Sequence, residues 1–151
     1  LKSFLAFQHR HIKMASAGVK VAEECTTKFN DLKLKHSVRY IMYKMSDNLQ
    51  EIIVCGEGAP DATYEDFMKE LPENDCRYAT FDFQFEVEGN PRNKIVFVAW
   101  SPDTAKIKHK MVYASSKDDL KKRLVGIGAE LQATAMDEVD ISAVMEKVTA
   151  V

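Results

Sequence analysis

A chain of 151 residues, 46% hydrophobic and 29% charged, has enough apolar material for one core and too little length for two comfortable domains. Its net charge of −2 supplies no global basic field, which argues against nucleic acid as the main partner and leaves only local charge-driven binding. No apolar run approaches the roughly 18 to 20 residues that span a bilayer, so no stable membrane insertion is expected.

The first thirteen residues carry Lys2, Arg10 and Lys13 and no acid, and all 23 acidic residues follow Met14. Without those three cations the remainder holds 18 basic against 23 acidic residues, a net charge of about −5. Met14-Ala15-Ser16 reads as a natural start. Residues 1–13 are therefore taken as a leader, a remnant of expression or upstream translation, with a short transit-type segment as the alternative, and 14–151 as the domain. The H-x-H spacing of His9 and His11 within the leader reads as incidental rather than as a metal site. Cys25, Cys55 and Cys76 are odd in number and lie in apolar stretches, the pattern of reduced core thiols in a cytosolic protein.

Cys25, Phe29 and Leu32 recur at helical spacing, with Glu23 and Glu24 near the start and Lys33 and Lys35 at the end, which predicts a helix over 19–34. Two apolar runs, 38–45 and 52–55, flank the turn-forming Ser46-Asp47-Asn48 and predict a hairpin. Tyr40, Ile41, Met42 and Tyr43 leave its first strand no polar face, so it is central. Thr63 and Asp66 form a capping box ahead of the stripe Tyr64, Phe67, Met68 and Leu71, and Pro72 ends that helix.

From Cys76 the period changes to two: Phe81, Phe83, Phe85 and Val87 alternate with polar residues as far as the turn Glu88-Gly89-Asn90-Pro91. The continuous apolar run 95–100 predicts a strand deep in the sheet. Ser101-Pro102-Asp103 predicts a helix start, and Ser116 with Asp119 a second, so the helix is expected to kink or restart near Ser115-Ser116. After Gly126, Ile127, Ala129, Leu131 and Ala133 alternate as a last strand. Asp140 caps a terminal helix carrying Ile141, Val144, Met145 and Val148. The order α-β-β-α-β-β-α-α-β-α predicts an α/β (α+β) fold, a central mixed sheet of five to six strands sandwiched by helices.

Enzyme readings fail on residue types. There is no G-x-x-x-x-G-K-[ST] phosphate loop, no G-x-G-x-x-G and no C-x-x-C. Tyr113-Ala114-Ser115-Ser116-Lys117 matches the Y-x-x-x-K of short-chain dehydrogenases, but the Gly-rich dinucleotide turn and the doubly wound sheet that chemistry needs are missing. His36 and His109, beside lysines and with no acidic or cysteine partner at ligand spacing, read as solvated surface residues. No metal and no cofactor is implied.

Positive charge does concentrate along one predicted helix pair, at Lys106, Lys108, Lys110, Lys117, Lys121, Lys122 and Arg123. Met111, Val112 and Tyr113 interrupt it with more apolar groups than one buried stripe requires. A basic ridge with apolar interleaving, on an acidic protein, suits an acidic partner.

At these residues the chain resembles the actin-depolymerising factor/cofilin family. The likeness runs through Ala15-Ser16-Ala17-Gly18-Val19, Phe29-Asn30-Asp31-Leu32-Lys33, Thr63-Tyr64-Glu65-Asp66-Phe67, Leu71-Pro72-Glu73-Asn74-Asp75-Cys76-Arg77-Tyr78-Ala79, Trp100-Ser101-Pro102-Asp103 and Lys110 to Asp118. The resemblance implies one ADF-homology domain that acts as a monomer, binds monomeric and filamentous actin, and severs and depolymerises filaments by favouring an altered twist. The alternative it leaves is a module of the same fold that binds actin or actin-related complexes without severing. It further implies a face for monomer and filament at Ser16, Gly18, Val19, Lys108, Lys110, Met111, Ser116, Lys117, Asp118, Lys121 and Lys122, with Val112 beside Met111. A filament-specific face is implied at Arg92, Lys94, Glu146 and Lys147, phosphorylation at Ser16, and phosphoinositide binding through the same lysines. The implied location is the cytoplasm with its cytoskeleton, and the nucleus as a further compartment. The chain departs from the family pattern in one extra small residue at the start, the missing basic localisation insert of vertebrate members, and Ala150 where some members carry a basic residue.

Overall fold

The computed structural model describes residues 18–150. The leader, Met14 and Ser16 lie outside them. Six strands, β1 (Lys20–Val21), β2 (Tyr40–Met45), β3 (Glu51–Gly58), β4 (Arg77–Val87), β5 (Asn90–Trp100) and β6 (Ile127–Ala133), form one mixed sheet in the order β1-β3-β2-β4-β5-β6. The inner pairings are antiparallel, and β1 and β6 join their neighbours in parallel. Helices α1 (Glu23–Asn30) and α3 (Ile107–Arg123) cover one face, α2 (Tyr64–Lys69) and α4 (Ile141–Thr149) the other. This is the expected mixed sheet between helices.

Strand alternation sorts the core into two halves. Ile41, Tyr43 and Met45 of β2 turn to the α1 and α3 side with Cys25, Phe29, Leu120 and Leu124. Tyr40 and Met42 turn the other way, toward Phe67, Phe81, Trp100 and Val144. A strand apolar on both faces needs such a double cover, as does the 95–100 run of β5, which is buried throughout. The capping box at α2 forms in full, with Asp66 N donating to Thr63 Oγ1 at 3.1 Å and Thr63 N to Asp66 Oδ2 at 2.9 Å. Asp140 caps α4 through Ala143 N at 2.9 Å.

Three expectations are corrected. Residues 19–22 are not helical: Lys20 N and Ala22 N donate to Gln50 O and Ile52 O at 2.9 Å each, so the sheet takes their backbone first and α1 begins at Glu23, then widens into a π-turn over Asp31–Lys35. Ser101 starts no helix. Its N–H extends the sheet to Ala133 O at 2.9 Å, 102–105 is a single turn, and α3 begins behind an extended Lys106. Finally, α3 runs unbroken through Ser115 and Ser116. Ser115 Oγ donates back to Val112 O at 3.2 Å, so the hydroxyl is satisfied without opening the helix.

The β4–β5 turn is tighter than expected. Glu88 and Gly89 alone form it, at φ 51° and 80°, and Asn90 and Pro91 already belong to β5. Cys55 is exposed on β3 rather than core, unlike Cys25 and Cys76.

Candidate functional site

Tyr113, Ser116 and Leu120 are the buried residues of α3, and they fix which way the helix faces. At 100° per residue the opposite line is Ile107, Met111, Ser115, Asp118 and Lys122, all exposed. Ile107 and Met111, one turn apart, are 73% and 66% exposed. Two large apolar side chains in water at the start of a lysine-rich helix form a surface that packing within the fold does not explain. The structure thus gives Met111 the surface role, while Val112 is half-buried against the core. Ile107 was missed by the sequence reading. Its spacing of four from Met111, on the side away from Tyr113 and Leu120, was the available signal.

The lysines divide. Lys108 and Lys122 are exposed, whereas Lys110 Nζ lies 3.2 Å from Asp103 O. Lys117 and Lys121 turn to the flank over β6, where Glu130 takes Lys117 at 2.9 Å and Lys121 at 2.5 Å. Partial burial pushes the Glu130 carboxyl up, but hydrogen bonds from Lys121 and Lys117 outweigh it and hold the group below its ordinary range. Ser116 is 2% exposed and faces the core, a correction to its place on the expected surface. Ser115 stands outside instead.

The N-terminal part of the expected face is brought to α3. Val19 packs on the core edge, and a cleft of about 490 Å³ separates Val19 to Glu23 from Asp119, Lys122 and Arg123. Gly18, the residue before Val19, is exposed, and Ser16 lies outside the described residues.

Arg92 and Lys94 on β5 and Glu146 and Lys147 on α4 are distant in sequence, but one contact joins the two elements. Lys94 Nζ donates to Val148 O at 2.9 Å, which ties the start of β5 to the last turn of α4. A lysine there suits the negative end of the helix. Lys94 is also packed along its stem: it lies against Gly128, where an added Cβ would sit 3.4 Å from Lys94 Cβ. Arg92, Glu146 and Lys147 are exposed.

The two histidines among the described residues have carboxylate partners that local spacing could not reveal. His36 Nδ1 lies 3.1 Å from Oδ2 of the buried Asp82, which Asn93 Nδ2 also approaches at 3.3 Å. His109 Nδ1 lies 3.4 Å from Asp75 Oδ1. Tyr113 and Lys117 share no site: the phenol is buried on Met45 N at 2.8 Å, and the ammonium sits on Glu130 and Gln132. Burial also pushes the Tyr113 phenol up to about 12. Among the described residues no group of three His, Cys, Asp or Glu side chains could hold a metal ion, and no helix is long and apolar enough to cross a membrane.

Residues 18–149 match the family model described as Cofilin/tropomyosin-type actin-binding protein. The chain is 52% identical over 131 residues to actophorin of Acanthamoeba castellanii, covering 87% of this chain and 95% of that protein. It is 49% identical over 136 residues to cofilin of Schizosaccharomyces pombe, covering 90% and 98%. Among solved structures, the cofilin of Streptomyces griseoflavus superposes with a TM-score of 0.82 at 39% identity, covering 87% of this chain and 98% of that one.

Proposed function

The chain belongs to the Cofilin/tropomyosin-type actin-binding protein family, and from that membership we propose that the outward line of α3 is its actin contact. The protein binds actin and depolymerises filaments, and it is cytoskeleton-associated. The observation that carries the assignment of the face is the exposed pair Ile107 and Met111, with Lys108 beside it and Lys122 further along the same line. Such a patch has an apolar centre and a charged rim, the anatomy of a protein interface. Val19, across the cleft from Lys122, extends it together with Gly18 before it in the chain. Lys110 and Asp118 border it, and Lys117 and Lys121 add their field from the flank.

The second surface, Arg92, Glu146 and Lys147 braced by Lys94, reaches a second actin subunit only in a filament. A monomeric protein with two such surfaces favours the filament twist to which it binds better, because differential affinity is what shifts an equilibrium between two states. Boundaries between decorated and bare filament are then weak, and severing follows with no bond-making group. The same lysines give a local basic patch for phosphoinositide headgroups. Phosphate on Ser16, two residues before Gly18 in the chain, adds about −2 of charge, which opposes binding to an acidic partner.

Pelleting with filamentous actin, paired with imaging of filament length, tests the reading. Co-sedimentation with shortening of filaments is expected. Co-sedimentation without shortening would replace severing by simple filament binding, and its absence would remove the assignment of the α3 face.

A further inference from the structure

Glu130 stands on β6, the last strand of the sheet, and divides its carboxylate between two lysines of α3. Oε1 lies 2.9 Å from Lys117 Nζ and Oε2 lies 2.5 Å from Lys121 Nζ. Gln132, on the same side of β6, offers Lys117 a second acceptor at 3.1 Å. The lysine side chains are only 23% and 30% exposed, although neither is on the buried line of the helix. They are laid down on the sheet rather than extended into water.

Two lysines four apart on a helix repel each other, and alone they would present a doubled charge to any approaching acidic surface. A shared carboxylate reduces that pair to a single net positive charge. It also draws both ammonium groups to the seam between α3 and β6, away from the line of Ile107, Met111 and Lys122. Ion pairs that remain partly in water contribute little to folding, so the fold alone gives little reason for three charges to be gathered there.

We propose that Glu130 is a positioning residue for the actin-binding face: an internal counter-ion that holds Lys117 and Lys121 back and limits the electrostatic share of actin binding. The inference rests on the reading of α3 as the actin contact. It gives the face a division of labour. The apolar pair and Lys122 make the contact, while Glu130 sets how strongly the flank attracts an acidic partner. Binding with a smaller electrostatic share is less sensitive to ionic strength.

The test is Glu130→Gln, which keeps the side chain's shape and frees both lysines. Monomer affinity is measured by fluorescence at about 50 mM and about 300 mM salt, where screening is weak and strong respectively. Affinity is expected to rise about two- to fivefold at the lower salt and to return to the native value at the higher, with a steeper salt dependence. Adding Lys117→Gln and Lys121→Gln to that variant should abolish the gain. Glu130→Asp keeps the charge and should keep the native salt slope, which a merely structural role for the longer side chain would not predict. Gln132→Glu places a second carboxylate beside Lys117 on an exposed position, and should weaken binding at low salt even if Glu130→Gln does not fold. Native affinity and slope in folded Glu130→Gln, or no weakening in Gln132→Glu, overturns the proposal. Met111→Asp separates the two levels: if it binds actin as the native protein does, the α3 reading itself is wrong, whereas its loss of binding beside a silent Glu130→Gln rejects only the counter-ion.

Discussion

The phenol oxygen of Tyr113, midway along α3, accepts the backbone N–H of Met45 at the end of β2 at 2.8 Å, and both residues are buried. Tyr78 Oη in turn donates to the Tyr113 carbonyl. The helix that carries the proposed contact is thus fixed to the sheet by polar bonds inside an apolar seam. Tyr113→Phe keeps the ring and leaves the Met45 N–H without its acceptor, a loss of about 1 to 3 kcal/mol. Urea denaturation should show a lower midpoint with an unchanged slope, and the folded variant should still pellet with filaments. An unchanged midpoint would mean that Met45 N–H finds another acceptor.

How far this architecture was legible depends on the range of the interaction that decides each element. Thr63 with Asp66 and Asp140 with Ala143 are contacts three residues apart, and both helix starts were read correctly. The alternation of Phe81 and Phe83 likewise states its own geometry. By contrast β1 exists because Lys20 and Ala22 meet β3 about thirty residues on, and Glu23 and Glu24 look helical either way. The Glu130 clamp, the His36 to Asp82 pair and the Lys94 strut join separate elements, so no local period announces them. Ser116, which the family resemblance assigned to the face, is buried because Tyr113 and Leu120 fix the phase of the helix.

All five tyrosines, Tyr40, Tyr43, Tyr64, Tyr78 and Tyr113, are 5% exposed or less. Burial first of all raises every one of the phenols, Tyr113 from 10.0 to about 12 and the others upward likewise. The folded state therefore holds these protons more tightly than the unfolded chain. That contribution is complete below about pH 10 and is lost as pH climbs toward the folded values. Absorbance at the phenolate band should stay flat past the ordinary tyrosine range and then rise in one step together with loss of the near-ultraviolet dichroism. A gradual rise while the protein remains folded would contradict the burial of at least one ring.

Cys55 is exposed while Cys25 and Cys76 are buried, and burial pushes the Cys25 thiol up to about 12. Thiolate is the reactive form, so a thiol reagent should label one cysteine rapidly in the native protein and three in denaturant. Cys55→Ser should remove the fast phase alone. Rapid labelling of a second thiol would indicate local opening beneath α1 or at the start of β4.

Ser16→Asp adds negative charge three residues ahead of Val19 in the chain, and Val19 lines one cleft with Lys122 and Arg123. Against an acidic partner the substitution should lower both monomer and filament affinity, with phosphoserine, at about −2, lowering them further. Unaltered co-sedimentation of Ser16→Asp in a chain beginning at Met14 would remove Ser16 as a switch.

The two surfaces are separable by substitution. Lys108 and Lys110 flank the exposed apolar pair of α3, so Lys108→Ala with Lys110→Ala removes charge-assisted contacts from every complex that uses this face, and monomer and filament affinity should fall together by about tenfold or more. Arg92 is exposed near the β4–β5 turn, two residues before Lys94, which is bonded to the end of α4, so Arg92→Ala should weaken filament pelleting and severing while monomer affinity stays within about twofold. Its stability should shift by less than about 0.5 kcal/mol, as for an exposed side chain without a partner in the core. Lys94→Ala is the informative contrast. Removing its bond to Val148 O frees the last turn of α4 and should cost about 1 kcal/mol of stability in addition to filament affinity. Monomer affinity by fluorescence and filament binding by pelleting, both on variants shown to be folded, give the decision. Equal loss of both activities in Arg92→Ala would collapse the two surfaces into one, and with them the account of severing through an altered filament twist.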